Sequence, residues 1–550
     1  WDIISSFIRE IFKDKRLYKF QVRGVKEAVK KLKGLVTPQN KGGRGYRTDY
    51  LIVASPTGSG KTEIMVLTIL MAALARKVIF LRNGIDSEKN SPLAIIIYPR
   101  RALASDQVSR LIGYLYILNN KLNKKLNITN PSQKITLTID YTDIRWKSEY
   151  KEAIKKIAEK NKNELRRYKL KVRYGVPAYY NAEDGIIELG FLTCPSWLVG
   201  NDDIYPRLKV VVNNGKYEIE DSKVYCGSYE LDFIALTKNM VNKRLGDVHI
   251  TIFETIRRRN LLNFKNYYDE LGLFGLCRNI RNAKVFDHPL IIAVDEIHTY
   301  IDVPGVRYAF VLKRLLNRIR YNFNVKCSNT RGPPGTLIIG MSATIPHPEY
   351  FLSRLFLSDD IGKNISNYYL TIDRNETVPL GSEYFIITVP TRKAPVDALS
   401  VSIQVIMNTF YNIPSIPMEG GYVKRGIVFM EEFNALRRMR RELHNEHSGA
   451  IYRKIKDKNI VFGLQDLRNP RNKYFKDVTV KDYGDNSAIM DEISRGIISK
   501  VIGTKSWLDG ELWWGYMLDT IVNYSNENKN EKNENKGIIY TCLLYTSPSP

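Results

Sequence analysis

Residues 55–62 read Ser-Pro-Thr-Gly-Ser-Gly-Lys-Thr and follow directly on the apolar run Leu51-Ile52-Val53-Ala54. A buried strand that runs into a glycine-rich turn and then into an apolar helix, Ile64 to Ala75, is the building unit of a parallel α/β sheet. The turn has the spelling of a phosphate cradle. Gly58 and Gly60 let the backbone curl its N–H groups inward around phosphate oxygens, with Thr57 before them and Ser59 between them. Lys61 brings a positive charge to the β- and γ-phosphates, and the Thr62 hydroxyl is suited to ligating Mg²⁺. The following helix points its N-terminus at the same anion. Ser55 stands where Gly or Ala is usual, a small-for-small exchange.

A second element narrows the chemistry. Ile291-Ile292-Ala293-Val294 leads into Asp295-Glu296-Ile297-His298, so four apolar residues set an acidic pair at the C-terminal end of a buried strand. That is where open α/β sheets bind ligands. Two adjacent carboxylates repel unless a cation lies between them, so the pair argues for metal. Asp295 is the expected Mg²⁺ holder, and Glu296 is placed to orient or activate an attacking water. A third element, Gly340-Met341-Ser342-Ala343-Thr344, follows the strand Leu337-Ile338-Ile339.

With phosphate loop, Asp-Glu-x-His and Ser-Ala-Thr in that order, the chain resembles superfamily 2 helicases of the DExD/H type. The resemblance covers roughly residues 17–440. It implies ATP and Mg²⁺ as cofactors, with Lys61, Asp295, Glu296 and His298 as catalytic residues. It further implies that Ser342, Ala343 and Thr344 couple hydrolysis to domain movement. Phe20-Gln21 resembles the adenine-sensing glutamine element, whose amide can pair with a donor and an acceptor. The run from Tyr98 through Pro99, Arg100 and Arg101 to Gln107 resembles the element that contacts the nucleic-acid backbone. Asp247-Val248-His249-Ile250-Thr251 resembles the next strand-tip element, with Thr251 as a phosphate donor. The nearest branches are repair-type helicases and DISARM-type phage-defence helicases, with CRISPR-associated helicase-nucleases as competitor.

The implied fold class is α/β, with tandem RecA-like parallel-sheet domains, the first carrying a large insertion and the second incomplete. The expected layout is an N-terminal helical segment at 1–36, a first domain at 37–375 and a partial second domain at 376–541. Lys61 and Asp295 lie too far apart for a compact domain, which predicts an insertion at about 119–245, with a charged helix at about 146–170. Gly426-Ile427-Val428-Phe429 and Tyr384 to Ile387 read as strands of the second domain, and 523–537 as a low-complexity polar loop. The last nine residues, 542–550, resemble a sequencing-adapter read-through, so the native sequence is expected to stop near Thr541. No Gln-x-x-Gly-Arg-x-Gly-Arg-like element follows Phe429; the arginines at 437, 438, 440 and 441 come too early. Such an arginine stabilises charge on the transferring phosphate. A chain cut before it is expected to bind ATP and nucleic acid and to turn over slowly.

The formal charge of +26 favours a polyanionic partner, with nucleic acid first and DNA ahead of RNA. Subunits of a defence or repair complex are further expected partners. The five cysteines are sparse and irregularly spaced, which predicts no disulfide framework and a reducing, cytoplasmic compartment. Cys194 resembles half of a zinc knuckle, but Trp197 occupies the position of its partner, so a buried cysteine is expected. The apolar stretch Ile64 to Ala75 is too short to span a bilayer, and no membrane association is expected. The functional expectation is an ATP-dependent helicase or translocase. The rival is a non-unwinding, ATP-gated clamp or sensor subunit built around the same motifs.

Overall fold

The computed structural model describes residues 2–12, 17–36, 46–56, 58–82, 91–126, 128, 130–141, 144–171 (161–166 excepted), 177–199, 204–213, 216–262, 271–280, 283–327, 335–343, 345–373, 376, 416–418, 421–430, 499–502 and 535–542. The chain divides into two compact units, Trp1–Leu380 and Gly381–Pro550. The expected strand at Tyr384 to Ile387, the arginines from 437 to 441, and residues Thr57 and Thr344 lie outside the described residues.

The first unit opens with helices α1 (Asp2–Phe12) and α2 (Lys19–Val36). Strand β1 (Arg47–Ala54) enters the core and ends at the glycine-rich turn, from which α3 (Lys61–Arg82) departs. Then come β2 (Ala94–Tyr98), α4 (Arg101–Leu126), β3 (Leu137–Asp140) and α5 (Lys147–Lys160). A meander follows: β4 (Arg167–Lys171), β5 (Pro177–Asn181), β6 (Ile186–Leu189), the short α6 (Ser196–Val199), β7 (Arg207–Asn213), β8 (Lys216–Cys226) and β9 (Tyr229–Leu231). The chain returns through β10 (Ile234–Ala235), α7 (Lys238–Val241), β11 (Val248–Ile252), α8 (Phe253–Leu262) and the hairpin β12 (Leu276–Ile280) and β13 (Ala283–Asp287). It closes with β14 (Ile291–Val294), α9 (Asp302–Lys326), β15 (Gly335–Ser342), α10 (Pro348–Phe356), α11 (Asp359–Lys363) and β16 (Tyr369–Thr371).

Eight strands form one sheet in the order β10-β3-β11-β2-β14-β15-β1-β16. All of its pairings are parallel. Such sheets need cover on both faces, and β2, β14 and β15 are buried along their whole lengths. Alternation along the strands splits the apolar residues between the faces. Ile52, Ile95, Ile97, Ile292, Val294 and Ile338 cluster with Leu312, Leu315, Ile319 and Phe323 of α9. Helices α2, α3 and α4 also pack on the sheet. Among the described residues α3 is the one helix long and apolar enough to cross a membrane. In the fold it is a core helix, with Ile64 through Leu70 all buried.

The inserted layer is narrower than the 119–245 expected from sequence. Strands β4 to β9 form a separate six-stranded sheet in sequence order, antiparallel throughout. Helix α4, β3 and β10 belong to the main domain, because β3 pairs with both β11 and β10 inside the parallel sheet. The charged helix stops at Lys160, and residues 167–170 of its expected span lie in strand β4. Trp197 lies against α4, where a methyl group on Gly113 would come within 2.2 Å of its ring. Tyr229 meets Tyr116 of the same helix edge-on, with ring centroids 5.4 Å apart.

The expectation of no disulfides is corrected. Cys194 bonds Cys226 within the inserted layer, and Cys277 of β12 bonds Cys327 at the end of α9. Their Cα atoms lie 5.7 and 5.4 Å apart although the partners are 32 and 50 residues apart in sequence. That proximity belongs to the fold and leaves no trace in linear spacing.

In the second unit the described strands are β17 (Ile416–Met418), β18 (Gly421–Met430), β19 (Ser499–Ile502) and β20 (Asn535–Cys542). They form one sheet in the order β17-β18-β20-β19. β18 and β19 both run parallel to β20, while β17 folds back on β18 as a hairpin. The run Gly426 to Phe429 is inside β18, and the last residues of the expected polar loop, 535–537, begin β20.

Candidate active site

The C-terminal ends of β1, β15 and β14 lie side by side, because Ala54 pairs with Ser342 and Val294 with Gly340. That register brings the three sequence elements to one edge of the sheet. The phosphate loop is anchored there by the Ser55 N–H, which donates to the Ser342 carbonyl at 3.1 Å. Inside the loop the Ser55 and Ser59 hydroxyls share a hydrogen bond at 2.6 Å, a contact that Gly at 55 would not make. Gly58 and Gly60 take φ values of +81° and +74°, a region that side chains disfavour.

Lys61 opens α3 and is buried, with its Nζ 4.0 Å from Glu296 Oε1. Gln21 lies next to the loop. Its amide Nε2 donates to the Gly60 carbonyl at 3.0 Å, and its Oε1 accepts from the Tyr18 N–H at 2.9 Å. The amide that the sequence assigns to adenine thus holds the phosphate loop in this state, leaving one amide hydrogen for a base.

Asp295 sits at the tip of β14, only 3% exposed, and its carboxylate accepts the Glu296 N–H at 2.9 Å. Burial, reinforced by the Glu296 charge, pushes its carboxyl up to about 6. Glu296 itself adopts φ 48°, the left-handed region, which turns the chain sharply off the strand end. The Glu296 Oε2 is buried and accepts no hydrogen bond among the described residues. It lies 3.3 Å from His298 Nδ1.

His298 is the joint between the acidic element and β15. Its Nδ1 lies 3.3 Å from the Ser342 hydroxyl and accepts the Ala343 N–H at 3.3 Å. A backbone N–H can only donate, so Nδ1 is an acceptor and the ring proton sits on Nε2. Burial lowers the His298 pKa, which keeps the ring neutral in agreement with that geometry. Ser342 and Ala343 therefore touch the acidic element through His298.

Arg100 and Arg101 follow β2, itself the neighbour of β14, and Arg101 begins α4. Pro99, Arg100 and Arg101 are all partly exposed. Thr251 differs from its sequence expectation. It is fully buried, and its hydroxyl donates to the Asp140 carbonyl on β3 at 2.9 Å, so it is a sheet-internal donor. Pairing with β3 decides this, because it sets Thr251 opposite Asp140. Asp247, of the same element, lies at the opposite end of β11. There it pairs with Arg76 at 2.6 Å and Lys77 at 3.1 Å, and the two cations hold its carboxyl well below the usual range despite complete burial. No spacing in the sequence predicts that clamp.

The donor set fits a divalent cation. The buried Asp295 carboxylate and Glu296, whose Oε1 is 4.0 Å from Lys61 Nζ and whose Oε2 accepts no hydrogen bond among the described residues, lie at the tip of β14, and Thr62 follows Lys61 on α3. A charge on Asp295 is disfavoured there unless a cation accompanies it. Among the described residues no cluster of three or more His, Cys, Asp or Glu side chains is present, so such an ion would complete its shell with phosphate and water oxygens.

Residues 44–172 match the family described as DEAD/DEAH box helicase. No curated protein matches the chain. Among solved structures, the chain is similar to the DUF1998 helicase MrfA at 13% identity and a TM-score of 0.36, over 99% of this chain and 52% of that one. It is also similar to T. fusca Cas3, at 12% identity and a TM-score of 0.33, over 99% of this chain and 48% of that one. A third likeness is to the Sulfolobus solfataricus SWI2/SNF2 ATPase core in complex with dsDNA, at 10% identity and a TM-score of 0.24, over 96% of this chain and 78% of that one. The chain thus spans about half the length of the first two.

Proposed function

We propose, from the premise that residues 44–172 are a DEAD/DEAH box helicase segment, that this chain is an ATP-dependent nucleic-acid helicase or translocase of the repair or defence type. The observation that carries the reading is the meeting of Lys61 and Glu296 at 4.0 Å beside the buried Asp295, past the tips of β1 and β14, the two strands that flank β15 in the parallel sheet. A nucleoside triphosphate laid in the 55–62 loop would take its phosphate charge from Lys61 and the backbone N–H groups. Thr62 and Asp295 would hold Mg²⁺, which when bound neutralises phosphate charge. Glu296, fixed by its turn off β14, orients the attacking water. His298 transmits a change at Glu296 to Ser342 and Ala343, and so to β15. Gln21 would sense the base while tied to the loop.

Arg100 and Arg101 are the proposed backbone contacts, on a partner that is DNA before RNA. Domain limits of 37–375 and 376–541, a second RecA-like domain built around β18 and β20, and further complex subunits belong to the same reading. The test is phosphate release from ATP with and without oligothymidylate, alongside strand displacement on a tailed duplex. Slow phosphate release, raised by the oligonucleotide, is the expected result. Nucleotide-dependent DNA binding without either activity would replace the motor by a clamp.

A further inference from the structure

Glu63 opens the first turn of α3, immediately after Thr62, and its carboxylate faces two ways. One oxygen, Oε1, pairs with Nη2 of Arg110 on α4. The other, Oε2, lies against the phosphate loop, where a methyl group on Gly60 would stand 3.4 Å from it. The Glu63 N–H donates to the Gly60 carbonyl at 3.2 Å, the same carbonyl that accepts from Gln21. On the α4 side, Arg110 Nη1 donates to Gln107 Oε1 at 3.1 Å, one turn earlier on the helix. One guanidinium therefore joins the first turn of α3 to the helix that starts at Arg101.

The pair is not there mainly for stability. The side chains of Arg110 and Glu63 are 39% and 14% exposed, and a single partly exposed pair contributes about 1 kcal/mol. Its placement is the informative part. Val108, Leu111, Ile112 and Leu115 hold α4 in the core as a rigid rod. Arg110 grips that rod about two and a half turns from Arg101. Phosphates drawn into the loop would press on Gly60, whose carbonyl accepts the Glu63 N–H, and so on Glu63. Arg110 is the side chain through which α4 would register that push.

We propose that the Glu63–Arg110 pair is a positioning device that couples nucleotide occupancy of the 55–62 loop to the hold of α4 on a nucleic-acid backbone. This rests on the function proposed above. Glu63 and Arg110 touch neither ligand; they set the relation between the two sites.

The experiment measures, on the full chain, the affinity of a fluorescent non-hydrolysable ATP analogue with and without saturating oligothymidylate, and the reverse. The unaltered chain is expected to show the same coupling factor in both directions, about fivefold or more. In Arg110→Gln and Glu63→Gln each ligand alone should bind within about threefold of the parent, since a single partly exposed pair that touches neither ligand contributes little. The coupling factor should fall to near one in both variants, and Arg110→Lys, which keeps the cation, should recover part of it. Retained coupling in both Gln variants overturns the proposal, as does a parent chain that binds both ligands with no coupling. A parent chain that binds neither ligand overturns the helicase reading itself.

Discussion

Burial beside Glu296 lifts the Asp295 carboxyl to about 6 from an ordinary 3.8. Between about pH 4 and 6 the unfolded chain has released this proton and the folded chain has kept it, so stability falls as pH rises through that window and stays lower above it. The cost at neutral pH is of order 3 kcal/mol. Asp295→Asn should therefore raise the melting temperature at pH 7.5 and flatten the stability profile across the window, while phosphate release is lost. An unchanged melting curve would show that the carboxylate is not strained by its surroundings. Lys61 and Glu296 should separate cleanly in the same assays. Lys61→Ala is expected to lose nucleotide binding. Glu296→Gln is expected to keep binding and lose at least about a hundredfold in turnover, the range for removing a residue that handles the water proton. Equal hydrolysis by Glu296→Gln would remove Glu296 from the role given to it.

Each of the three strands that carry the site ends in a short element that sets its residues, and the one after β14 has little room. Its chain passes from Glu296 through Tyr300 into α9, and a methyl group on Gly305 would lie 2.3 Å from the Tyr300 carbonyl oxygen. Backbone cannot yield as a side-chain tip can. Gly305→Ala should cost about 1–3 kcal/mol in urea unfolding and should weaken the Tyr300–Tyr308 stack, whose rings are 4.1 Å apart. Unaltered unfolding would mean the α9 entry is looser than drawn. Strands β1, β2, β14 and β15 were readable in sequence because each is an unbroken apolar run before a chemically distinctive turn. β3 was not: Leu-Thr-Ile-Asp is short and half polar, yet all four residues are buried. The inserted strands are hard to read in sequence, since their alternating Tyr, Lys and Val residues suit strand and loop alike. Thr251 shows the limit at the site itself, for a hydroxyl at a strand tip can face either side, and only pairing with β3 decides which. Gln21 was found by its motif, but its bond to Gly60 was not, because nothing local links positions so distant.

At the scale of the whole molecule, covalent links and charge make separate claims. Four of the five cysteines are tied in two disulfides, which leaves Cys542. Alkylation of the denatured, unreduced chain should therefore label a single cysteine by mass; five labels would mean that both bridges are absent and would favour a reducing compartment. The charge of +26 predicts binding to oligothymidylate that weakens steeply with salt. Its log–log slope should approach −0.7 for each phosphate neutralised, and a slope near zero would mean that the basic surface is not the contact. The parallel sheet has one more consequence, which concerns time. β1 leaves the ribosome long before its two neighbours, β15 and β16, so Arg47 must wait for Gly335, and Ile52 for Tyr369. The loop that begins at Ser55 is pinned to Ser342 and cannot take its final form sooner. During synthesis the nucleotide pocket is thus among the last parts of the first unit to close, and a nascent chain halted before β15 would display the phosphate-binding sequence with nothing to hold it in shape.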